Sequence, residues 1–260
     1  MNAPLPGPLN DNPNLDRWVA FPSPGKVTVL TGRVELGQGV LTAMAQIAAD
    51  ELDIAIERVT VRSGDTEKAP NEGYTAGSQS IQFGGVAMRQ ACADVRALFL
   101  DQAAKVLGCK VDELSIRDGR IHRNGASTGQ DYWTLSGAVD LTVKATGSGV
   151  RKRVADLKSI GTSNARFDLP GKIFGENAFI HDMQIDGMVH ARVVRQPNRG
   201  GTIGSIDENA IRRAAKGPIE FVRNGNFLAI LGADETAVEA AGVAAVNHVT
   251  WRNIEAPTPI

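Results

Sequence analysis

The sequence lacks most of what would mark a metalloprotein, a membrane protein or a polyanion binder in its own right. Its 260 residues include only two cysteines, Cys92 and Cys109, with no C-x-x-C pair and no Cys/His cluster at ligand spacing. The chain alone is therefore not expected to hold zinc or an iron–sulfur cluster, and each thiol reads as buried or half-buried in a reducing compartment. Charge of one sign is missing too: 28 basic against 29 acidic residues leave a net charge of -1. Without a long-range field, nucleic acid is a poor partner. No apolar run approaches the ~20 residues that cross a bilayer. Residues 1–16 carry Pro, Asn and Gly where a leader would have a charged segment and an apolar core, and Arg17 is the first arginine. Neither a secretory nor a twin-arginine signal is expected, and the reading is a cytoplasmic protein with no membrane span. His122, His181, His190 and His248 form no H-x-x-x-H pair and read as structural or exposed.

What is present suits a folded chain. A hydrophobic content of 42% over 260 residues is enough to bury one large core or two modest ones, which points to about two domains. Residues 26–31 (KVTVLT) alternate with a period of two after the turn Ser23-Pro24-Gly25 and predict a strand. From 41 to 52 the apolar residues recur at helical spacing behind Gly37-Gln38-Gly39. A second strand is expected at 59–63, then an irregular stretch over 64–80. A long helix follows at 86–107, ended by Gly108 at the position that favours a left-handed glycine. Residues 114–117 and 120–122, joined by Asp118-Gly119, read as a hairpin.

The charged, Gly-rich stretch 142–165 holds Lys144, Arg151, Lys152, Arg153 and Lys158 and reads as a solvated linker. Beyond it, strands are expected at 179–180, 188–194, 202–206, 219–223, 227–231 and 248–251, with helices at 207–215 and 234–246. The fold class is thus α+β: a first domain over 1–141, a linker over 142–165 and a small α+β domain over 166–260.

Two loops could carry chemistry. Gly37, Gln38 and Gly39 stand at the mouth of a helix, where glycines allow close backbone approach, free N–H groups favour anions, and a primary amide can donate and accept at once. The run fails as a dinucleotide fingerprint, because Thr42 replaces the third glycine of G-x-G-x-x-G and Arg33 to Leu36 separate it from the strand. Taken alone it reads as a tight turn. The second loop, Thr75-Ala76-Gly77-Ser78-Gln79-Ser80, opens the long helix, and its hydroxyls can cap that helix or meet phosphate oxygens. Two such loops after strands are more suggestive together, since sheet folds gather ligands at that end.

The resemblance that these residues carry is specific. The run VELGQGVLTAMAQIAADEL (34–52) resembles the molybdopterin-binding motif of catalytic subunits of the xanthine dehydrogenase/aldehyde oxidase family, and TAGSQS (75–80) is similar to that family's Thr/Ser pterin-contact loop. The run RFDLPGKIFGENAFIHDMQIDGMVHARVVR (166–195) resembles the start of its α/β hammerhead domain. The order, pterin loops before hammerhead, is that of the isoquinoline 1-oxidoreductase and nicotinate dehydrogenase branch. The resemblance implies a molybdenum-cofactor-binding domain followed by a hammerhead-like domain. It implies that Gln38 hydrogen-bonds the pterin or its pyrophosphate, that Gly37 and Gly39 admit it, and that Thr75, Gly77, Ser78 and Ser80 bind pterin and phosphate oxygens. The implied cofactor is molybdenum-molybdopterin cytosine dinucleotide.

In the family's mechanism a glutamate deprotonates a molybdenum-bound hydroxyl that attacks an electron-poor carbon, while hydride passes to a sulfido ligand. That glutamate, and a second Gly-rich loop of G-G-x-F-G type, are expected to lie outside this chain. Glu35 reads as a loop or strand-end carboxylate and Glu176 as a surface residue, so no catalytic or metal-ligating residue is assigned. The implied partners are a polypeptide with the rest of the molybdenum domain, a [2Fe-2S] ferredoxin-like subunit, and a cytochrome c or another electron acceptor. The implied substrate is an N-heteroaromatic or an aldehyde. Two rivals stand beside this reading: a non-catalytic cofactor-binding or assembly module, and an unrelated nucleotide-binding domain resting on the broken glycine fingerprint.

Overall fold

A computed structural model describes residues 4–177, 179–198 and 200–254. The chain forms two compact units, Met1–Glu176 and Asn177–Ile260. Residues 255–260 of the expected second domain lie outside the described residues.

In the first unit, β1 (Val19–Ser23) and β2 (Lys26–Thr31) form a hairpin, and β3 (Val59–Ser63) lies parallel to β2. Two parallel neighbours need a crossover, and helix α2 (Val40–Leu52) provides it. Helix α3 (Val86–Leu107) packs against α2. Both present alanines to the core, among them Ala45, Ala48, Ala87 and Ala91, which lets the two backbones approach. Gly108 ends α3 at φ 59°, the left-handed geometry read from its position. A second antiparallel sheet follows, β4 (Leu114–Arg117), β5 (Arg120–Arg123) and β6 (Ala126–Asp131). Its first turn has positive φ at both Asp118 (49°) and Gly119 (75°), the demand of a type I′ hairpin. Strands β1 and β6 were not expected from the sequence: β1 contains Pro22 and pairs irregularly between Ala20 and Ser23, and β6 (ASTGQD) carries no apolar alternation.

The lead-in is part of the core. A short helix, α1 (Gly7–Asp11), buries Leu9, and Leu15 and Trp18 are fully buried beyond it. Trp18 donates its indole N–H to the Asn12 carbonyl at 2.8 Å. Below them Phe21, Phe99 and Tyr132 form an aromatic triangle with centroids 4.8 to 5.2 Å apart. Tyr132 opens a one-turn helix, α4 (Tyr132–Leu135), and its hydroxyl donates to the Leu52 carbonyl at 2.8 Å, closing the C-terminus of α2.

The stretch 142–165, expected as a solvated linker, is bound to the first unit. Three buried helix carboxylates hold its backbone: Asp94 accepts the N–H groups of Thr146, Gly147 and Gly149, Glu51 that of Lys152, and Asp50 those of Lys158, Ser159 and Ile160. Polarity without periodicity resembles a linker in sequence because these partners lie 52 to 110 residues away. The unit closes on the short helix α5 (Leu169–Ile173).

The second unit has its own core. Strands β7 (His190–Val194), β10 (Phe227–Gly232) and β9 (Glu220–Asn224) form one antiparallel sheet in that order, and β8 (Thr202–Ile206) pairs with β11 (Val249–Arg252). Helices α6 (Glu208–Ala215) and α7 (Glu235–His248) pack on each other, burying Ile211, Val238, Ala241 and Ala245 with Leu228 and Ile230. Asp207 and Asp234 cap the two helices with side-chain bonds to first-turn N–H groups. The strand expected at 179–180 is instead a 3-10 turn, Ile180–Asp182, in which the Asp182 carboxylate accepts the Phe179 N–H at 2.9 Å.

Candidate functional site

The two glycine-bearing loops meet. Where β2 ends, Gly32 passes so close to the 70–80 segment that a Cβ there would lie 2.4 Å from the Pro70 carbonyl oxygen, so the approach requires glycine. Val34 donates its N–H to Thr75 Oγ1 at 2.9 Å, and the Arg33 guanidinium donates to the Tyr74 carbonyl. Beneath this seam lies Glu72, whose Oε2 accepts Thr31 Oγ1 at 2.5 Å and the Gly32 N–H at 2.8 Å. Arg33 Nε stands 3.6 Å from Glu72 Oε1, both side chains are almost wholly buried, and neither of those two atoms has a hydrogen-bond partner. Gly84 roofs the pair, because a Cβ there would come within 2.5 Å of Glu72 Oε1. An open cleft of about 540 Å³ runs past Arg33, Glu72, Gly73, Gln79 and Phe83.

The first loop is internally satisfied. Gly37 (φ 113°) and Gly39 (φ 79°, the N-cap of α2) make the turn. Glu35 then folds back so that its Oε1 accepts the N–H groups of Gly37 and Gly39, each at 2.8 Å, and its Oε2 that of Leu41 at 3.4 Å. The helix N-terminus that would favour an anion already holds a carboxylate. Burial pushes the Glu35 carboxyl up, but those three N–H groups outweigh it and hold it below the usual range. Arg166 completes the arrangement: it donates to the Gly37 carbonyl at 2.8 Å, stands 3.5 Å from Glu35 Oε1, and forms a two-point pair with Asp168 at 3.0 and 2.7 Å. Gln38 turns onto its own loop, accepting the Leu36 N–H at 2.5 Å and donating to the Val34 carbonyl at 2.9 Å, while remaining exposed.

The second loop is open. Gly77 and Ser78 both adopt positive φ, 61° and 59°. Among the described residues, their N–H groups and the hydroxyls of Ser78 and Ser80 have no protein partner. Ser80 begins a π-helical turn, Ser80–Gly85, that leads into α3. Such turns occur at functional sites. All seven residues singled out in the sequence therefore lie on two loops joined by the Val34–Thr75 bond, Thr75 being used in the joint. Sequence reasoning placed Glu35 as a loop carboxylate but not its bonds to the turn, and it missed the roles of Arg33, Glu72 and Arg166. A Glu two residues ahead of a Gly-x-Gly turn was the available signal for the first, whereas the others depend on long-range contacts. Glu176 is exposed, as read. Among the described residues no three His, Cys, Asp or Glu side chains gather as a metal-ligand set, and no helix is long and apolar enough to cross a membrane.

Comparison with known proteins bears on the first unit as a whole. A family model described as the molybdopterin cofactor-binding domain matches residues 6–176. Over 86% of its length the chain is 34% identical to a nicotinate dehydrogenase subunit of Pseudomonas putida, covering 20% of that protein. It is 25% identical over 84% of its length to the membrane-bound aldehyde dehydrogenase [pyrroloquinoline-quinone] of Gluconacetobacter polyoxogenes, covering 28% of it. It is 28% identical over 88% of its length to the beta subunit of isoquinoline 1-oxidoreductase from Brevundimonas diminuta, covering 34% of it. The chain thus spans between 20% and 34% of the length of these curated relatives. It belongs to the molybdopterin cofactor-binding domain family, among the molybdopterin-binding subunits of the xanthine dehydrogenase/aldehyde oxidase type.

Proposed function

We propose that this chain is the molybdopterin-binding portion of a molybdenum hydroxylase that oxidises an N-heteroaromatic or aldehyde substrate with water as the oxygen source. The observation that carries the reading is the pair of stitched loops, one of them with unpartnered hydroxyl and backbone donors at the head of a long helix. Such a donor set fits the oxygen-rich end of a pterin dinucleotide. Gly77, Ser78 and Ser80 would hold those oxygens, with Thr75 fixing the loop, and Gly37, Gln38 and Gly39 would face the rest of the cofactor, taken as the molybdopterin cytosine dinucleotide. Bound there, the cofactor supplies the oxygen-transfer and redox chemistry. This chain binds and orients it, and no general base is assigned here.

The relatives named for nicotinate and isoquinoline support the heteroaromatic class, and the one named an aldehyde dehydrogenase supports the other. Those relatives are three to five times as long as the stretch matched, so the catalytic glutamate and second Gly-rich loop are assigned to another part of the enzyme. Exposed apolar residues on the loops, Leu36 at 69% and Tyr74 at 92%, favour a covering partner. The further partners in this proposal are a [2Fe-2S] subunit and a cytochrome c or another acceptor, in the cytoplasm, and the second unit is assigned as hammerhead-like.

The test is purification from the native host under mild conditions, with mass spectrometry of bound polypeptides and assay of molybdenum and cytosine nucleotide. About one molybdenum per complex, with a partner bearing the missing loop and glutamate, is the expected result. A metal-free chain without a partner would sink it and favour a non-catalytic module.

A further inference from the structure

We propose that Glu35 is a positioning residue that sets what the first loop can accept: it fills the anion position at the N-terminus of α2, so this loop takes an uncharged donor–acceptor edge, not a phosphate.

The inference rests on the cofactor reading and divides its ligand between the loops. A helix N-terminus attracts anions because its first N–H groups are unpaired and the aligned peptide dipoles leave positive charge there. At α2 a carboxylate already sits on those donors. Glu35 takes the N–H of the N-cap, Gly39, at 2.8 Å and that of Leu41 in the first turn at 3.4 Å, and it also takes the Gly37 N–H in the turn ahead. Its side chain is only 8% exposed, and Arg166 sits against it. Asp168 holds Arg166 in turn, and Lys172 donates to Asp168 at 2.6 Å. A phosphate approaching this loop would meet a fixed negative charge in place of free donors.

What the loop does offer is half of an amide. A primary amide has two N–H donors and two lone pairs on its oxygen. Gln38 uses one of each within the loop, Nε2 to the Val34 carbonyl and Oε1 from the Leu36 N–H, which leaves one N–H and one lone pair on an exposed side chain. That remaining edge is uncharged and complementary to a lactam or amidine edge, the kind carried by a pterin or a pyrimidine. The second loop, with its unpartnered donors, is where oxyanions would go.

The experiment is NMR of the full-length, nitrogen-15-labelled chain titrated separately with inorganic pyrophosphate and with a neutral, unphosphorylated pterin. In the unsubstituted chain pyrophosphate leaves the amides of Gly37, Gly39 and Leu41 unmoved, whereas the pterin shifts the Gln38 side-chain NH2 signals. Glu35→Gln keeps an acceptor at the helix end but removes the charge, and those three amides then titrate with pyrophosphate at least tenfold more tightly. Gln38→Leu abolishes the pterin-induced shifts of the Gly37 and Gly39 backbone amides without opening the loop to pyrophosphate, and where Glu35→Gln unfolds, the pyrophosphate titration of the unsubstituted chain still decides. Saturable pyrophosphate shifts at Gly37, Gly39 and Leu41 in the unsubstituted chain overturn the proposal, as does a folded Glu35→Gln variant that gains no pyrophosphate binding. The cofactor reading fails differently, by a chain that never carries pterin from its host even where Glu35→Gln gains pyrophosphate.

Discussion

Glu72 is a single residue on which the seam between the loops depends. Its carboxylate takes the Thr31 hydroxyl and the Gly32 N–H and faces the buried Arg33 guanidinium. Glu72→Ala would leave a buried cation and two donors without an acceptor. Breaking a buried pair from one side costs about 3–5 kcal/mol, so urea unfolding of this variant should show a loss of that size. A loss under about 1 kcal/mol would mean that the pair is solvated. Acid should act at the first loop and at the β4–β5 turn. Glu35 is held low as above, Asp168 by its hydrogen bonds from Arg166, and Asp118 by its bond from Arg58. Each folded-state value is depressed, so the native chain binds fewer protons than the unfolded one. The stabilisation is complete above the ordinary carboxylate range near pH ~4 and is lost as the pH falls below it toward the folded-state values. The urea midpoint should therefore drop between pH 5 and pH 3, and less steeply in Asp168→Asn, which removes one depressed group. At this scale the sequence was half legible. Gly37, Gly39, Gly108, Asp118 and Gly119 could be placed because a turn states its needs locally. Arg33 with Glu72 could not, since the two are joined only by folding.

Among the elements, those with a period of their own were legible. Strand β2 was read to the residue, α2 and α3 to within one residue, and most of the second unit to within about two. The segment 142–165 was misread because it has no period: its order comes from carboxylates on α2 and α3. Asp94 is the firmest of these, accepting the N–H groups of Thr146, Gly147 and Gly149. Gly149 itself lies where an added Cβ would stand 2.4 Å from the Ala93 carbonyl carbon and the Asp94 nitrogen, both backbone atoms that cannot yield. Gly149→Ala should therefore pull the segment off α3, and Asp94→Ala should strand three N–H groups at a combined cost of about 2–4 kcal/mol. In both variants hydrogen exchange at 146–149 should quicken by at least tenfold while the Cys92 and Phe99 amides of α3 keep their protection. Unchanged exchange at 146–149 would return this segment to a linker held by nothing in particular.

For the whole molecule, the division that matters is between two cores with no residue in common, one built on Trp18, Met44, Met88 and Phe99 and the other on Ile211, Leu228, Ile230 and Val238. The sequence implied two domains from length and composition, but not where the first ends, because the carboxylate-bound segment carries it on to Glu176. Separate cores imply separate stability. Leu228 is fully buried in the second, and Leu228→Ala removes packing that is worth about 2–5 kcal/mol in a core of this kind. If each core is its own cooperative unit, hydrogen exchange in β7, β9 and β10 should accelerate to match that loss, while α2 and α3 exchange as before. The two glycine-bearing loops belong to the first unit, so the variant should also keep the amide shifts of Gly37 and Ser78. A parallel loss of protection in α2 would mean that the two cores unfold together, and damage anywhere in the second unit would then reach the loops through global unfolding. Independence predicts that the two glycine-bearing loops tolerate such change as long as the first core itself stays folded.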